Sequence, residues 1–346
     1  MKIVHIVDSL DRGGQETFLV NLAIEQKKTG HEVIIISFKE EGVLANVAIN
    51  NGIDVQALST STDSILSTIK VLKDIINKIE PDIIHTHNRR PLFFTFFAVP
   101  AKRKKIINTR HGNGVRGLYW SLAAIFSNKI INVSDDLFSA SNWLNRVLLK
   151  NKNQVIKNGI LIGDKVSNGQ SIGQLIMVGR LNQIKNHLLA LKVVKQCLLQ
   201  GADVSLKIVG DGEEKQSIEE EIKRLGIEKN VSLMGDRSDV NDLLLESDIF
   251  VMTSLSEGHS IALLEACAAG IPAVVSKVGG NGEIVQDEKT GFVLELDDID
   301  GFVDAIVTLI KDREVWAEMS VLTRQWVNEN ASMHSCAENY YDAYNS

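Results

Sequence analysis

Short runs of apolar residues alternate along the chain with longer segments in which apolar residues recur every three or four positions. The short runs are rich in Val and Ile, which is typical of β-strands, and the longer segments have the period of amphipathic helices. Continuously apolar strands are buried on both faces, and their alternation with helices predicts parallel sheets. The predicted strands are residues 2–7, 32–38, 82–86, 105–109, 129–133, 174–178, 205–209, 248–252 and 272–276, and the predicted helices include 16–28, 64–79, 187–199, 213–225 and 261–269.

This alternation is interrupted between residues 158 and 173, where Gly, Ser and Asn are frequent. A chain of 346 residues is long enough for about two domains. The predicted fold class is therefore α/β, with two doubly wound, Rossmann-like parallel-sheet domains joined near residues 160–172. A ligand is expected in a cleft between them, at the carboxyl ends of the strands.

Composition narrows the class of protein. Apolar residues make up 44% of the chain and charged residues 23%, which excludes a disordered or fibrous protein. The 3 cysteines show neither disulfide nor metal-site spacing, which favours a reducing compartment and no structural zinc. The N-terminal apolar run is too short for a signal peptide, and no stretch reaches the ~18 apolar residues of a membrane span. We expect a cytoplasmic protein.

The net charge of −7 hides an asymmetry between the two halves. Residues 1–165 carry 22 Lys and Arg against 15 Asp and Glu, whereas residues 166–346 carry 15 against 29. The halves are therefore expected to meet different partners. No basic stripe with interleaved aromatic residues is present, so we expect no nucleic-acid binding. A phosphorylated ligand or a membrane surface suits the basic half better.

A candidate anion site follows the predicted strand 174–178. Gly179 and Arg180 end this strand, and Lys185 comes five residues later where a helix begins. Two cations beside the free N–H groups of a helix N-terminus favour an anion such as a phosphate. The alternative is a solvated Arg and Lys beside a turn, but placement at the end of a strand favours a site.

Two glutamates follow the predicted strand 248–252. Glu257 lies in a polar loop, Ser260 is placed to cap the next helix, and Glu265 lies on an otherwise apolar part of that helix. A carboxylate on an apolar helix is not expected to be there for solubility. The eight residues that separate Glu257 from Glu265 would span about 12 Å if they were fully helical. That length matches the distance from a sugar across a diphosphate to a ribose. The alternative is that Glu257 caps the helix and Glu265 has a structural partner.

Several motifs, in order along the chain, resemble those of one enzyme family. Gly-Arg-Leu at 179–181 precedes Lys-Asn-His at 185–187, the Glu257–Glu265 pair and Gly-Gly-Asn-Gly-Glu at 279–283. The ordered set covers essentially the whole chain and resembles the retaining glycosyltransferases of family 4 (glycosyl transferases group 1), which have the two-domain GT-B fold. Further motifs of the set are Gly-Gly-Gln-Glu at 13–16, Pro-Asp-Ile-Ile-His-Thr-His-Asn at 81–88, Thr-Arg-His-Gly at 109–112 and Asp-Gly-Glu-Glu at 211–214.

The resemblance implies a role for each matching residue in binding a nucleotide-sugar donor. Arg180 and Lys185 are expected to hold the donor diphosphate, Glu257 to face the sugar hydroxyls and Glu265 to hold the ribose. His111 is expected to approach the reacting sugar. These predictions make His111, Glu257, Arg180 and Lys185 catalytic, and they place Gly13, Gly14, Gly179, Gly258, His259, Ser260 and Glu265 at the donor. On the acceptor side we place Glu16, His87 and Asn88.

The resemblance further implies that residues 1–160 bind the acceptor and residues 172–327 the donor, with a final helix at about 328–346 packing back on the first domain. No metal or cofactor is expected, because fixed cations and a helix N-terminus can stabilise the diphosphate leaving group. The one Asp-x-Asp, at Asp298 and Asp300, precedes a predicted helix and is interpreted as a cap. One departure from the family is Asn-Gly-Ile-Leu at 158–161, where relatives usually have Asn-Gly-x-Asp.

The predicted activity is a retaining, metal-independent transfer of a sugar from a nucleoside-diphosphate sugar, with a UDP-sugar favoured. The acceptor is expected to be a glycan or a lipid-linked glycan in bacterial cell-surface polysaccharide or lipopolysaccharide assembly. An oxocarbenium-like route with front-face attack and a covalent intermediate both remain open. Two alternatives are a sugar-nucleotide epimerase or phosphorylase of the same architecture, and a catalytically silent partner that binds nucleotide sugar.

Aromatic and basic residues occur together at 89–97, 102–105 and 115–120. Basic residues beside exposed apolar side chains suit peripheral contact with an anionic membrane, here on the inner face of the cell membrane. The alternative is that Phe93, Phe94, Phe96 and Phe97 fill the core beneath a helix.

Overall fold

The structure, a computed structural model, describes residues 1–39, 42–58, 64–99, 105–112, 125–139 and 151–346. The chain divides into two compact units. The N-terminal unit consists of Met1–Gly159 and Met333–Ser346, and the C-terminal unit of Ile160–Ser332. The chain therefore leaves the first unit at Gly159 and returns to it with its last residues.

A seven-stranded parallel sheet forms the centre of the N-terminal unit, in the order β3-β2-β1-β4-β5-β6-β7. The described elements are β1 (Lys2–Val7), α1 (Gly14–Lys28), β2 (Glu32–Ser37), α2 (Val43–Asn50), β3 (Asp54–Ala57), α3 (Ile65–Ile79), β4 (Ile83–His87), α4 (Arg89–Ala98), β5 (Lys105–Arg110), β6 (Lys129–Asn132), α5 (Asp135–Ser139) and β7 (Asn153–Val155).

Helices on both faces explain why the strands of this sheet are rich in apolar residues. Val4 and Ile6 of β1 pack into one buried cluster with Leu72 and Ile76 of α3. Val7 of the same strand belongs to a second cluster with residues of α1. Since successive side chains of a strand point to opposite faces, a strand covered on both faces buries every side chain, and each one is either apolar or needs a hydrogen-bond partner.

The C-terminal unit is built around a six-stranded parallel sheet in the order β10-β9-β8-β11-β12-β13. Its elements are β8 (Gln174–Val178), a 3-10 turn (Gln183–Lys185), α6 (His187–Leu199), β9 (Ser205–Val209), α7 (Lys215–Leu225), β10 (Val231–Gly235), α8 (Val240–Leu245), β11 (Ile249–Met252), α9 (Ile261–Ala268), β12 (Ala273–Ser276), α10 (Asn281–Ile284), β13 (Gly291–Leu294), α11 (Ile299–Lys311) and α12 (Arg313–Asn330).

The nine strands predicted from the apolar runs are confirmed to within one or two residues. Four described strands were missed, β3, β7, β10 and β13, and these are the two edges of each sheet. An edge strand is only partly covered, so it lacks the uninterrupted apolar run of a central strand. The predicted helix caps are also confirmed: Ser260 Oγ accepts from Leu263 N, and Asp298 Oδ1 accepts from Gly301 N, so Asp298 acts as a cap.

The segment 160–173 belongs to the C-terminal unit, where it is tied to the residues just before β11 and to α12. Ser167 Oγ donates to Ser247 O at 3.0 Å, and the carbonyl of Gly169 accepts from Arg313 at 2.8 Å. Arg313 also pairs with the buried Asp248 at 2.8 Å. Within the described ranges, every helix is too short or too polar to span a bilayer.

The last helix, α13 (Met333–Asn345), completes the core of the N-terminal unit. Its Tyr340 and Tyr344 are buried. Tyr344 Oη lies 2.7 Å from Nδ1 of His85 on β4, and it accepts from Gln26 Nε2 of α1 at 2.9 Å. The helix therefore supplies hydrogen-bond partners to polar groups inside the sheet.

Substitution Tyr344→Phe is expected to destabilise the N-terminal unit by about 1–3 kcal/mol, because it leaves His85 and Gln26 buried with an unmade hydrogen bond. The measurement is the urea midpoint of unfolding. The control is Tyr341→Phe on the same helix, where the ring is 44% exposed and the midpoint is expected to stay within error of the parent. Equal midpoints for Tyr344→Phe and the parent would contradict the assigned hydrogen bonds.

Candidate functional site

In the C-terminal unit, the switch point of the sheet lies between β8 and β11. The chain proceeds from β8 outward to β9 on one side and from β11 outward to β12 on the other. The loops that follow β8 and β11 therefore diverge and leave a crevice at the carboxyl ends of the strands, where doubly wound folds bind ligands. Lys185 follows β8 and Glu257 follows β11.

An ion pair between side chains bridges these two loops. Lys185 Nζ donates to Glu257 Oε1 at 2.6 Å, and Ser254 Oγ donates to the same oxygen at 2.6 Å. The lysine side chain is 20% exposed and the glutamate side chain 9%, so the pair is largely withdrawn from water. Oε2 of Glu257 makes no hydrogen bond with the part of the chain that the structure describes. One carboxylate oxygen thus holds the lysine, and the other remains available.

Backbone contacts fix the loops around this ion pair. Leu255 N donates to Ile184 O at 2.7 Å, which ties the loop after β11 to the 3-10 turn after β8. Gly280 N donates to Gly258 O at 2.8 Å, which ties the loop after β12 to the same place. Gly279 has φ +51, and a Cβ there would collide with the carbonyl of Glu257. Only glycine permits this approach, so the Gly-Gly motif serves to hold the Glu257 loop.

Gly179 lies beneath the lysine side chain. Its φ is +158, and a Cβ there would lie 3.1 Å from Lys185 Cε. Arg180 is exposed, and its guanidinium makes no ion pair with any described residue. The strand end therefore presents one cation held by Glu257 and a second cation directed to solvent.

Helix α9 begins at the same edge. Ser260 caps it, Gly258 and the buried His259 precede it, and Glu265 lies on its partly exposed side. The carboxylate of Glu265 has no hydrogen-bond or ionic partner among the described residues. Burial raises the pKa of Glu265 to about 7. An unpaired, poorly solvated carboxylate is a strong acceptor for hydroxyl groups.

The N-terminal unit has its own switch point, between β1 and β4. Gly13 and Gly14 begin α1 after β1, and Asn88 follows β4 with φ 67. The Asn88 amide donates to Gln15 Oε1 and so joins the two loops. Glu16 lies in the first turn of α1, where the helix dipole favours an acid, and a Cβ on Gly13 would collide with its carboxylate.

His111 lies at the carboxyl end of β5 and is half-buried. Its backbone N–H donates to Asn88 Oδ1 at 3.3 Å, and its Nε2 lies 3.1 Å from Nδ1 of His87. Burial lowers the pKa of His111 to about 3, so the ring is neutral in the folded protein.

The structure corrects the placement of His87 on the acceptor side. The side chain is fully buried, and both ring nitrogens are engaged, with His111 and with His5 at 3.1 Å each. It therefore has no free atom for direct contact with an acceptor. Asn88 and Glu16, both half-buried at the rim of the same switch point, stay predicted acceptor-side residues.

Within the described residues, one group of side chains could be considered for a metal ion: His5, His85 and His87. Their nitrogens already bond to Gln26, Tyr344, Thr109 and to each other, at 2.7–3.1 Å. No carboxylate joins the group, and converging the nitrogens on an ion would break these bonds. The arrangement fits a hydrogen-bond network better than a metal centre.

Ser254, His5 and Gln26 were not predicted from the sequence. His5 carried a readable signal, since a histidine inside the apolar run of β1 must find a buried partner. Ser254 and Gln26 carried none, because only the fold brings them to Glu257 and His5. The predicted segment 115–120 and residues 102–104 lie outside the described residues.

Comparison with known proteins defines the class. The model for Glycosyltransferase Family 4 matches residues 12–162, and that for Glycosyl transferases group 1 matches residues 169–326. The chain is 30% identical to UDP-Gal:alpha-D-GlcNAc-diphosphoundecaprenol alpha-1,3-galactosyltransferase of Escherichia coli, over 72% of this chain and 70% of that protein. It is 25% identical to N-acetyl-alpha-D-glucosaminyl L-malate synthase of Bacillus anthracis, over 81% and 78%.

Among solved structures, Anabaena HepE in complex with UDP and glucose superposes with a TM-score of 0.88 at 20% identity, covering 100% of both chains. The predicted fold class, GT-B, is confirmed. The protein is an enzyme of the sugar-transferring class. It belongs to the family 4, group 1 glycosyltransferases.

Substitution Glu265→Gln is expected to stabilise the ligand-free protein in a pH-dependent way. The pKa of Glu265 is raised from 4.5 to about 7, so ionising this carboxyl lowers the free energy of unfolding as pH rises through that interval. The glutamine variant does not ionise there. We expect equal stability at pH 4.5 and an advantage of about 1–3 kcal/mol for the variant at pH 8.

The measurement is the urea midpoint of parent and variant across this pH range. Glu219→Gln, on the exposed side of α7, is the control and should show no pH-dependent difference. A constant difference between Glu265→Gln and the parent at all pH values would contradict the raised pKa.

Proposed function

We propose that this glycosyltransferase transfers a sugar from a nucleoside-diphosphate sugar, with a UDP-sugar favoured, with retention of anomeric configuration and without a metal ion. The acceptor is a glycan or lipid-linked glycan in bacterial cell-surface polysaccharide assembly. The observation that carries the proposal is the row of charged groups at the β8–β11 switch point: Arg180, Lys185, Glu257 and Glu265.

Departure of the leaving group places negative charge on a nucleoside diphosphate. Lys185 and Arg180 supply two cations at the strand end, and the capped N-terminus of α9 adds backbone N–H groups on the other side of the crevice. Preorganised charges of this kind stabilise a developing anion without reorganisation. The same work is done by a divalent metal in other transferases, so this charge set supports metal independence.

The carboxylates of Glu257 and Glu265 suit the two uncharged parts of the donor, its sugar and its ribose. Glu257 has one oxygen held by Lys185 and Ser254, and its other oxygen can accept from sugar hydroxyls. Glu265 is an unpaired acceptor on α9 and is assigned to the ribose hydroxyls. His111 of the N-terminal unit is assigned to the sugar that reacts, and it contributes a neutral ring. Asn88 and Glu16 are assigned to the acceptor.

The relatives support the choice of substrates. The Escherichia coli protein is named for a UDP-galactose donor and an acceptor linked to diphosphoundecaprenol. The HepE structure contains UDP and glucose. A UDP-sugar donor and a lipid-linked acceptor are therefore the first pair to test on this protein.

Substitutions Lys185→Ala, Glu257→Ala and His111→Ala are each expected to lower turnover at least ~100-fold, about 2.7 kcal/mol of transition-state stabilisation. Lys192→Ala, exposed on α6, is the control and should retain activity. Turnover is measured in EDTA with a panel of UDP-, GDP-, ADP- and TDP-sugars, and the anomeric configuration of the product is read by NMR. An inverted product, or activity that EDTA abolishes, would overturn the corresponding part of the proposal.

Thermal shift with the free nucleotides separates binding from catalysis. A nucleotide at 100 times its dissociation constant adds about 2.7 kcal/mol of stability. We expect a selective shift with UDP that is lost in Lys185→Ala. If every nucleotide fails to shift the parent, the donor site itself is misassigned.

Peripheral membrane contact through α4 forms a second part of the proposal. Arg89, Phe93, Phe96 and Phe97 lie on one side of this helix, since they are spaced by four, three and one residues. Phe94 is buried in the core, Phe93 and Phe96 are half-buried, and Phe97 is 52% exposed, so the interpretation of all four as core is corrected for Phe97. The Phe96 ring also lies 4.7 Å from that of Phe126, which is 44% exposed.

Substitution Phe97→Ser is expected to lower recovery of the protein with floated vesicles that contain anionic lipid, because it removes the most exposed apolar ring of α4. Leu199→Ser is the control, since Leu199 is 66% exposed at the end of α6 in the other unit. Equal recovery with and without anionic lipid for the parent would refute membrane contact.

A further inference from the structure

A continuous line of hydrogen bonds runs from the core of the N-terminal unit to His111. Gln26 Oε1 lies 2.7 Å from His5 Nε2, and His5 Nδ1 lies 3.1 Å from His87 Nε2. His87 Nδ1 in turn lies 3.1 Å from His111 Nε2. The first three side chains are fully or almost fully buried, and of these four side chains only that of His111, just after β5, is partly exposed.

Each histidine in this line is neutral. Burial lowers the pKa of His5 to about 4, that of His87 well below its ordinary value and that of His111 to about 3. A neutral imidazole has one nitrogen that donates and one that accepts. In a line of such rings, the tautomer of the ring at one end therefore determines the tautomer of the ring at the other end.

Gln26 determines which nitrogen of each ring carries the proton. Its carbonyl oxygen can only accept, so His5 carries its proton on Nε2, and His5 Nδ1 must accept from His87. His87 then carries its proton on Nε2, and its Nδ1 accepts from Nε2–H of His111. The remaining nitrogen of His111, Nδ1, is left without a proton. It forms no hydrogen bond with any residue that the structure describes.

A second branch contacts the other end of the Gln26 amide. Its Nε2 donates to Tyr344 Oη at 2.9 Å, and Tyr344 Oη lies 2.7 Å from His85 Nδ1. His85 Nε2 lies 2.7 Å from Thr109 Oγ1. His85 therefore lies on this branch and outside the line of hydrogen bonds from Gln26 to His111.

We propose that His87 is a positioning residue, which together with His5 and Gln26 keeps the proton of His111 on Nε2, so that Nδ1 accepts a hydrogen bond from a hydroxyl of the bound donor sugar. This inference rests on the proposed contact between His111 and the sugar. A ring that instead exposed an N–H would offer the same hydroxyl a donor and would reverse the hydrogen bond. The buried line thus selects the polarity of the contact before the donor binds.

The tautomer of His111 is measured directly by long-range proton–nitrogen correlation on the full-length protein labelled with ¹⁵N-histidine. The parent is expected to show His111 as a single neutral tautomer with the proton on Nε2. In His87→Leu the ring loses its inner partner, and we expect a mixture of both tautomers. Turnover of the UDP-sugar that the parent uses should fall about tenfold, which corresponds to an increase of about 1.4 kcal/mol in the activation free energy.

Two further variants separate positioning from packing. His87→Asn keeps an amide oxygen near the position of Nδ1, and we expect it to restore the Nε2–H tautomer and most of the turnover. His85→Leu removes an equally buried histidine that lies off the line to His111. It is expected to lower stability and to leave both the His111 tautomer and the turnover unchanged.

A parent protein with the proton on Nδ1, or an unchanged tautomer in His87→Leu, would overturn the inference. Equal loss of turnover in His85→Leu and His87→Leu would show that the cluster acts by packing alone. A different result would follow if His111 does not contact the sugar: the tautomer would shift in His87→Leu while His87→Leu and His111→Ala both turn over normally. That outcome would refute the sugar contact and leave the proton arrangement intact.

Discussion

Coverage of both sheets by helices on both faces is the constraint on which the rest of the structure depends. A strand covered on both faces has no exposed side-chain position, so polar groups are confined to the strand ends or must be paired inside. In the C-terminal unit the first solution prevails, and Lys185, Glu257 and Arg180 all follow strands. In the N-terminal unit the second also occurs, since His5 and His85 lie within the sheet and obtain partners from α1 and α13.

The two units consequently present different chemistry at equivalent places in the same topology. The switch point of the C-terminal unit carries charged groups, of which Arg180 and Glu265 have no ionic partner among the described residues. At the switch point of the N-terminal unit lies Asn88, and His111 lies beside it at the end of the neighbouring β5; both are neutral side chains whose orientation is set by hydrogen bonds. A charged crevice suits a diphosphate, and a neutral, oriented edge suits hydroxyl groups of sugars.

Much of this arrangement could be predicted from the sequence, and the part that could not has a common cause. Central strands were predicted because strands buried on both faces contain runs of apolar residues. The edge strands β3, β7, β10 and β13 have no such run. Glu265 was identifiable as a carboxylate on an apolar helix. The role of Ser254 and the depth of His87 were not, because they depend on contacts between loops far apart in sequence, which no local pattern records.

The hydrogen bond between His85 and Tyr344 joins residues 259 positions apart, and this separation bears on how the protein is made. At about 5–20 residues per second, ribosomal synthesis leaves His85 without this partner for roughly 13–50 seconds. During that interval the N-terminal unit has its strands but not α13, so its buried polar groups and the surface later covered by Tyr340 and Tyr344 remain open. The C-terminal unit can fold before α13 has been synthesised, whereas the core of the N-terminal unit is complete only afterwards. The order of synthesis is therefore not the order in which the two cores are completed.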